Sequence, residues 1–469
     1  MKKCPATPEA ISRAKSIANA KRLKHVGRLV LKIGKAGLII AGVLTLIMAG
    51  IFGWNGMVVF FSSFIIWELL VLAILPSRRL EDWYPEVCVE EGLWDEVDRI
   101  AFASAGDALD DILGGRPPKG ELNFDSFVLS KIEMILIRKG ETRKSVRLSE
   151  YVLARMRAAF EAGGTEPPPE KGIPFPESNL LKLKASDYPE AISGEEGILG
   201  IGYNAVGKYS EGIDLARKRL DYILARPQEH VGRIFVAHLA LLDVYLELHN
   251  EGEAEKVLND LRNRLEFGPD VDPASPTGER SKAMYSWSHD EDAMFGWLIG
   301  RLKALKGDSE AEKILERSAE ILRKQEEPRQ LLLFPEIQIS LALLAIGKKE
   351  FSRGEKYLQE ALTYYEEKTR YLGMNFWLAK ALFTFSRMKQ GLPGEHSAEL
   401  ERFLQELLNS LEEGHLNIAA CRAWLGESLL RDGKTGPAQE TLEKALKTFR
   451  THYPPGDSRI AEVQAFLAA

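Results

Sequence analysis

Hydrophobic and polar positions divide this sequence into two unlike parts. Residues 36–75 read AGLIIAGVLTLIMAGIFGWNGMVVFFSSFIIWELLVLAIL, and Glu68 is the single charged side chain among them. Beyond this run, apolar residues recur three and four apart among many charges, which is the pattern of amphipathic helices. A bilayer core takes roughly 20 apolar residues per helix, so the run predicts two spans, 36–53 and 57–75. The turn between them is Gly53-Trp54-Asn55-Gly56. Backbone groups in lipid must pair internally, which favours a two-helix transmembrane hairpin over 36–76. Gly37/Ala41 and Ala49/Gly53 are small-residue pairs that let the helices approach. The rival reading is a cleaved secretory signal, whose apolar core is shorter and whose basic region is brief.

The flanks predict the orientation. Lys2, Lys3, Arg13, Lys15, Lys21, Arg22, Lys24, Arg28, Lys32 and Lys35 precede the run against Glu9 alone, and Arg78 and Arg79 follow it. Positive residues stay on the cytoplasmic side. The expectation is a multi-pass inner-membrane protein with both termini cytoplasmic. Glu68, in mid-span, reads as an intramembrane contact with a partner helix, or as a carboxyl bonded inside the hairpin toward Thr45, Ser62 or Ser63.

Residues 77–162 read as a small helical region. Apolar spacing predicts helices over 93–113, stopped by Gly114-Gly115, over 123–138, ended by Gly140, and over 145–162. Asp107, Asp110 and Asp111 read as a solvated helix face rather than a metal site. A proline-rich linker follows at 163–177.

From residue 178 onward the pattern repeats. LGIGYNAVGKYSEGIDLARKRL places Leu199, Gly200, Tyr203, Gly207, Tyr209, Gly212 and Leu220 in the order large, small, aromatic, turn, aromatic, small, large. That order makes two antiparallel helices with small residues where their backbones cross. Copies follow at 241–261, 295–318, 341–361 and 425–445. The small residue of each second helix is Gly212, Ala254, Ala311, Gly354 and Ala438, spaced 42, 57, 43 and 84 residues apart by their numbers. The 84-residue step is two periods, which predicts a degenerate copy with helices near 375–390 and 397–413. The 57-residue step holds a polar insertion, 267–281.

This pattern resembles the tetratricopeptide repeat (TPR) family, in the longer variety found in kinesin light chains and many bacterial proteins. The predicted fold is all-α: a transmembrane hairpin, a small helical region, then a C-terminal α-solenoid of TPR-like helix pairs over 178–469. Gly212 and Gly354 stand where the family has alanine and Ala216 where it has a larger residue, so the first repeat is expected to pack loosely. The resemblance implies a protein partner held in a groove lined by first helices. By repeat position the groove candidates are Asn204, Asp243, Glu247, Trp297, Lys303, Trp424, Glu427 and Arg431, with inter-repeat core as the other reading of both tryptophans. The chaperone-type carboxylate clamp cannot be assembled, since Ile201 stands at one of its asparagine positions.

Charge and candidate chemistry narrow the function. The net charge of −6 conceals a basic first 35 residues and an acidic remainder. An acidic region without a basic stripe excludes nucleic acid as the expected ligand. The basic segment 8–32 reads either as a surface for anionic lipid or as a solvated flank that only sets topology. It also resembles a mitochondrial presequence. Cys4, Cys88 and Cys421 lack metal spacing. No phosphate loop, dinucleotide fingerprint, nucleophile elbow or His-Glu-x-x-His motif is present. His289-Asp290-Glu291-Asp292 reads as acids at a helix start rather than a metal site. The expectation is a non-enzymatic, cofactor-free membrane-anchored adaptor. The alternative is a subunit of a transporter or synthase that contacts the complex through Glu68.

Overall fold

The structure, a computed structural model, describes residues 108–118, 132–133, 136–137, 139–161, 188–226, 231–264, 289–324, 332–369 and 373–468. All belong to one of two units into which the chain divides, Ser104–Ala469. The basic segment 1–35, the hairpin segment 36–76 with Glu68, the linker 163–177 and the insertion 267–281 lie outside the described residues.

Among the described residues, six helix pairs follow one another. They are α3 Tyr188–Val206 with α4 Tyr209–Leu224, α5 Val231–Glu247 with α6 Glu251–Arg264, and α7 His289–Leu305 with α8 Ala311–Arg323. Then come α9 Leu333–Gly347 with α10 Phe351–Tyr364, α11 Met374–Lys389 with α12 His396–Ser410, and α13 Leu416–Arg431 with α14 Thr435–His452. Before them stand α1 Leu109–Leu113 and α2 Thr142–Glu161, and after them α15 Ser458–Ala468. A π-helical turn, Tyr365–Thr369, extends α10. The degenerate copy predicted from the doubled spacing is the pair α11/α12.

One local device makes each pair. The residue that ends the first helix is left-handed in all six: Gly207, His249, Gly307, Lys349, Gly391 and Gly433. The next backbone N–H then reaches back five residues, as in Lys208 to Tyr203 at 2.8 Å, Asn250 to Tyr245 at 2.8 Å and Lys434 to Leu429 at 2.9 Å. This closure satisfies carbonyls the helix end would otherwise orphan, and it reverses the chain. Small residues then let the two helices meet. A methyl at Gly426 would strike Leu442, and one at Gly354 would strike Ile346.

Successive first helices touch one another, whereas contacts between successive second helices are few. First helices therefore line the inner side of the curve. Their burial on several sides explains why α9 has nine buried positions, while second helices such as α8 keep a charged outer face.

The curve closes. Tyr209 of α4 and Val244 of α5 share a core cluster with Leu416, Ala419, Phe449 and Tyr453 of the last pair. Glu412 N–H donates to the Val206 carbonyl at 3.0 Å, and Arg143 of α2 ion-pairs Glu412 at 3.4 Å. His249 stacks on Tyr453, with centroids 4.3 Å apart.

Two expectations need correction. No helix among the described residues is long and apolar enough to cross a membrane. The most apolar, α9, has 15 residues, so it spans about 22 Å against a hydrocarbon core of about 30 Å. The multi-pass inner-membrane location with both termini cytoplasmic is overturned on this finding. The first repeat, expected to be loose, is close-packed: a methyl at Gly212 would overlap the Asn204 side chain and lie 2.9 Å from the Gly200 carbonyl oxygen.

Candidate functional site

The inner face carries a polar belt across four first helices. On α5, Asp243 and Glu247 are one turn apart and share a stripe with Val236. Arg301 of α7 ion-pairs Asp243 and reaches Glu247 at 3.5 Å. The same guanidinium lies 4.8 Å from the Trp297 ring centroid, one turn away on α7. Trp297 Nε1 donates to Ser340 Oγ of α9 at 2.9 Å. Glu336, one turn before Ser340, accepts from Asn375 Nδ2 of α11 at 2.9 Å. Burial, with Asp243 nearby, pushes the Glu336 carboxyl up to about 7, and Arg301 opposes the shift.

A second cluster lies where the curve closes. Trp424 stacks on Phe385, with centroids 5.5 Å apart, and belongs to the core between α11 and α13. Glu427, 5 % exposed, accepts from Lys389 Nζ at 2.8 Å and from Arg431 Nη2 at 2.8 Å. Arg431 also donates to the Met388 carbonyl at 3.0 Å. These bonds tie α13 to α11.

The eight residues expected in the groove therefore fall into three groups. Asp243, Glu247 and Trp297 meet in the belt, and Trp424, Glu427 and Arg431 meet at the closure. Asn204 and Lys303 lie in neither. Asn204 faces Gly212 across the α3/α4 crossing, with its buried Oδ1 unbonded. Lys303 binds Asp308 at 2.7 Å and Glu310 at 2.8 Å, and so braces the turn of its own pair. Those two carboxylates hold its ammonium above the ordinary lysine range.

Arg301, Glu336, Ser340 and Asn375 were missed. A signal for Arg301 existed. It stands six residues before the left-handed turn residue Gly307, as Asp243 and Glu427 stand before His249 and Gly433. Aligning the copies on that turn brings all three into one register.

The first helices α3 and α5 also leave large apolar side chains exposed. Ile198 and Ile201 on α3 are 49 % and 54 % exposed, and Val236 on α5 is 55 % exposed. They supply half of the large exposed hydrophobic side chains among the described residues. Among the described residues, no three or more His, Cys, Asp or Glu side chains are grouped to hold a metal ion. The helix α7 opens at His289, and the side chains of His289, Asp290 and Glu291 are outside the described set. Cys421 is buried against the Leu400 carbonyl, and burial pushes its thiol up to about 12.

No protein-family model matches this sequence, and no curated protein does. Several solved structures are similar in fold, and TPR-repeat proteins are among them. BtubC (BKLC) from P. vanneervenii is 18 % identical, with 54 % of this chain and 93 % of that chain covered and a TM-score of 0.32. A Podosopora anserina putative kinesin light chain with nearly identical TPR-like repeats is 18 % identical, over 48 % and 98 % of the two chains, at a TM-score of 0.31. The quorum sensor NprR from B. thuringiensis, in its apo form, is 12 % identical over 82 % and 92 %, at a TM-score of 0.41.

Proposed function

We propose that this chain is a non-catalytic protein-interaction scaffold that holds a segment of a partner protein against its inner face. One observation carries the reading. Side chains from four successive first helices converge in a continuous belt, Asp243, Glu247, Arg301, Trp297, Ser340, Glu336 and Asn375, and the first helices α3 and α5 leave Ile198, Ile201 and Val236 exposed. Tryptophan and arginine are among the residue types that dominate binding energy at protein interfaces, and apolar side chains left in water mark surfaces that a partner covers. Repeated helices present such side chains at regular intervals, which suits an elongated ligand better than a compact one. The belt joins four helices through side chains that bond one another, and it offers further hydrogen-bonding edges to a partner.

The test is site-specific photocrosslinking in the full chain. A crosslinker at Val236 or Ile201 is expected to capture a partner, and one at Lys313 or Gln439 on the second helices is expected not to. Capture from the outer positions in preference to the inner ones would overturn the reading.

A further inference from the structure

The last helix, α15, packs against α14 and extends side chains toward first helices. Val463 is 1 % exposed and belongs to one apolar cluster with Val244 of α5 and Leu416, Ala419 and Ala420 of α13. Ile460, Phe466 and Leu467 pack against that cluster beside Leu248 and Trp424. Lys389 Nζ of α11 lies 5.9 Å from the Phe466 ring centroid. The helix packs chiefly on α14, the second helix of the last pair, while Phe466 reaches α11 and its apolar side chains join a cluster shared with α5 and α13.

Its hydrogen bonds are concentrated at one end. Asp457 caps the helix, accepting from Arg459 N–H at 2.8 Å, and its other oxygen meets His249 Nδ1 at 2.6 Å. Arg459 donates to Tyr453 Oη at 2.6 Å, and Glu247 bears on it electrostatically. Farther along, Glu462 is flanked by Lys389, Glu427 and Arg459. Two of the residues expected to touch a partner, Glu247 and Glu427, therefore already face a helix of this chain, and Trp424 packs in the cluster that helix joins.

We propose that α15 is a displaceable occupant of the closure end of the inner face, and that the partner taking its place is an amphipathic helix with apolar side chains at the spacing of Ile460, Val463 and Leu467. That spacing, three then four residues, is how a helix lays one stripe into a groove. The displacement is affordable on structural grounds. At 11 residues the helix is too short to be stable alone in water, and only Val463 is fully buried. A longer helix with the same stripe and a complete apolar face has more surface to bury in the same place. The base at 459 and the acid at 462 set its polarity, since they meet Glu247 at one end and Lys389 at the other.

This inference rests on the reading of the inner face as a binding surface and names the chemistry of its ligand. Its test needs no partner. A fluorescent peptide of residues 457–469 is titrated into the full chain, into a chain ending at Gly456, and into full-length Val463→Asp, which unseats the native helix. The shortened chain and the V463D chain are expected to bind saturably, and the unaltered chain about tenfold more weakly, because its own helix holds the site most of the time. Trp424→Ala in the shortened chain is expected to abolish binding. If both altered chains keep their melting transition and ignore the peptide, or if both lose the transition, α15 is a fixed part of the fold and the inference is wrong. Either failure leaves the crosslinking result at Val236 to decide the broader reading by itself.

Discussion

A methyl group added at Gly212 has nowhere to go. It would overlap Asn204 Oδ1 and press on the Gly200 carbonyl oxygen at 2.9 Å, and the backbone contact cannot rotate away. Gly212→Ala is therefore expected to destabilise the fold by about 1–3 kcal/mol, the usual cost of overpacking, measured by chemical denaturation. Glycine where the family has alanine reads as slack in the sequence, whereas in the structure it is what lets the two helices close. How far the crossing helices close, and hence that Asn204 meets Gly212 there, is not reported by spacing along the chain. Lys303 is held near its own turn by two acids five and seven residues on, Asp308 and Glu310. His415 gives a pH-dependent expectation. Its Nδ1 accepts from Asn417 N–H at 3.0 Å as the cap of α13, and burial, with His452 beside it, pulls its pKa down to about 3. The unfolded chain takes a proton there below its ordinary value of 6.5, and the folded chain does so only near 3. This contribution is whole above 6.5 and drains away as pH falls, about 2 kcal/mol between pH 7.5 and 5.0. Glu195 and Glu336, both raised to about 7, act in the opposite sense, so the comparison must be with His415→Asn. That variant keeps a capping side chain, and its stability is expected to fall less on acidification than that of the unaltered protein.

At the scale of the helix pair, the sequence was legible wherever a local rule made the structure. The small residues at crossings, the turn after each first helix and the 42-residue spacing are contacts between near neighbours, so they leave a period in the chain. The predicted pair near 375–390 and 397–413 is found at Met374–Lys389 and His396–Ser410 although its signature residues had degenerated. The turn itself is the stronger marker, with four glycines in six places, and the two exceptions invite a test. Lys349 is exposed with φ of 63°, a conformation that costs a residue with a Cβ about 1 kcal/mol and glycine almost nothing. Lys349→Gly is expected to raise stability by about 0.5–1 kcal/mol in denaturant titration. His249, left-handed at φ of 52°, is a different case. It stacks on Tyr453 and bonds Asp457, so glycine there would relieve the backbone and lose the closure. The polar belt was half legible, because Asp243, Glu247 and Trp297 stand in recognisable register, whereas Glu336 and Asn375 matter only through a bond between adjacent pairs.

The closure of the whole array left no period to read. Leu416 N–H and Tyr209 Oη meet at 3.3 Å across 207 residues, and such a contact depends on small rotations accumulated over six pairs. A repeat array is held chiefly by contacts between neighbours, so its middle can remain folded while its ends part. Tyr209 is the residue on which that separation can be tried. It is 3 % exposed, and its ring lies between those of His415 at 5.8 Å and His452 at 5.0 Å. Removing the ring should cost about 3–5 kcal/mol at the closure and nothing directly at the α9 to α12 pairs, whose cores are separate clusters. Tyr209→Ala is therefore expected to lengthen and broaden the distance between spin labels at Ser210 and Arg450, both exposed. Amide exchange in α9 to α12 is expected to stay slow in the same protein. If exchange rises everywhere together, the closure is a condition of folding rather than a joint. In that case the inner face has a single shape in which to receive a partner. If only the label distance changes, the array opens like a clasp, and the width of its inner face is set by the contacts among Tyr209, His415, His249 and Tyr453.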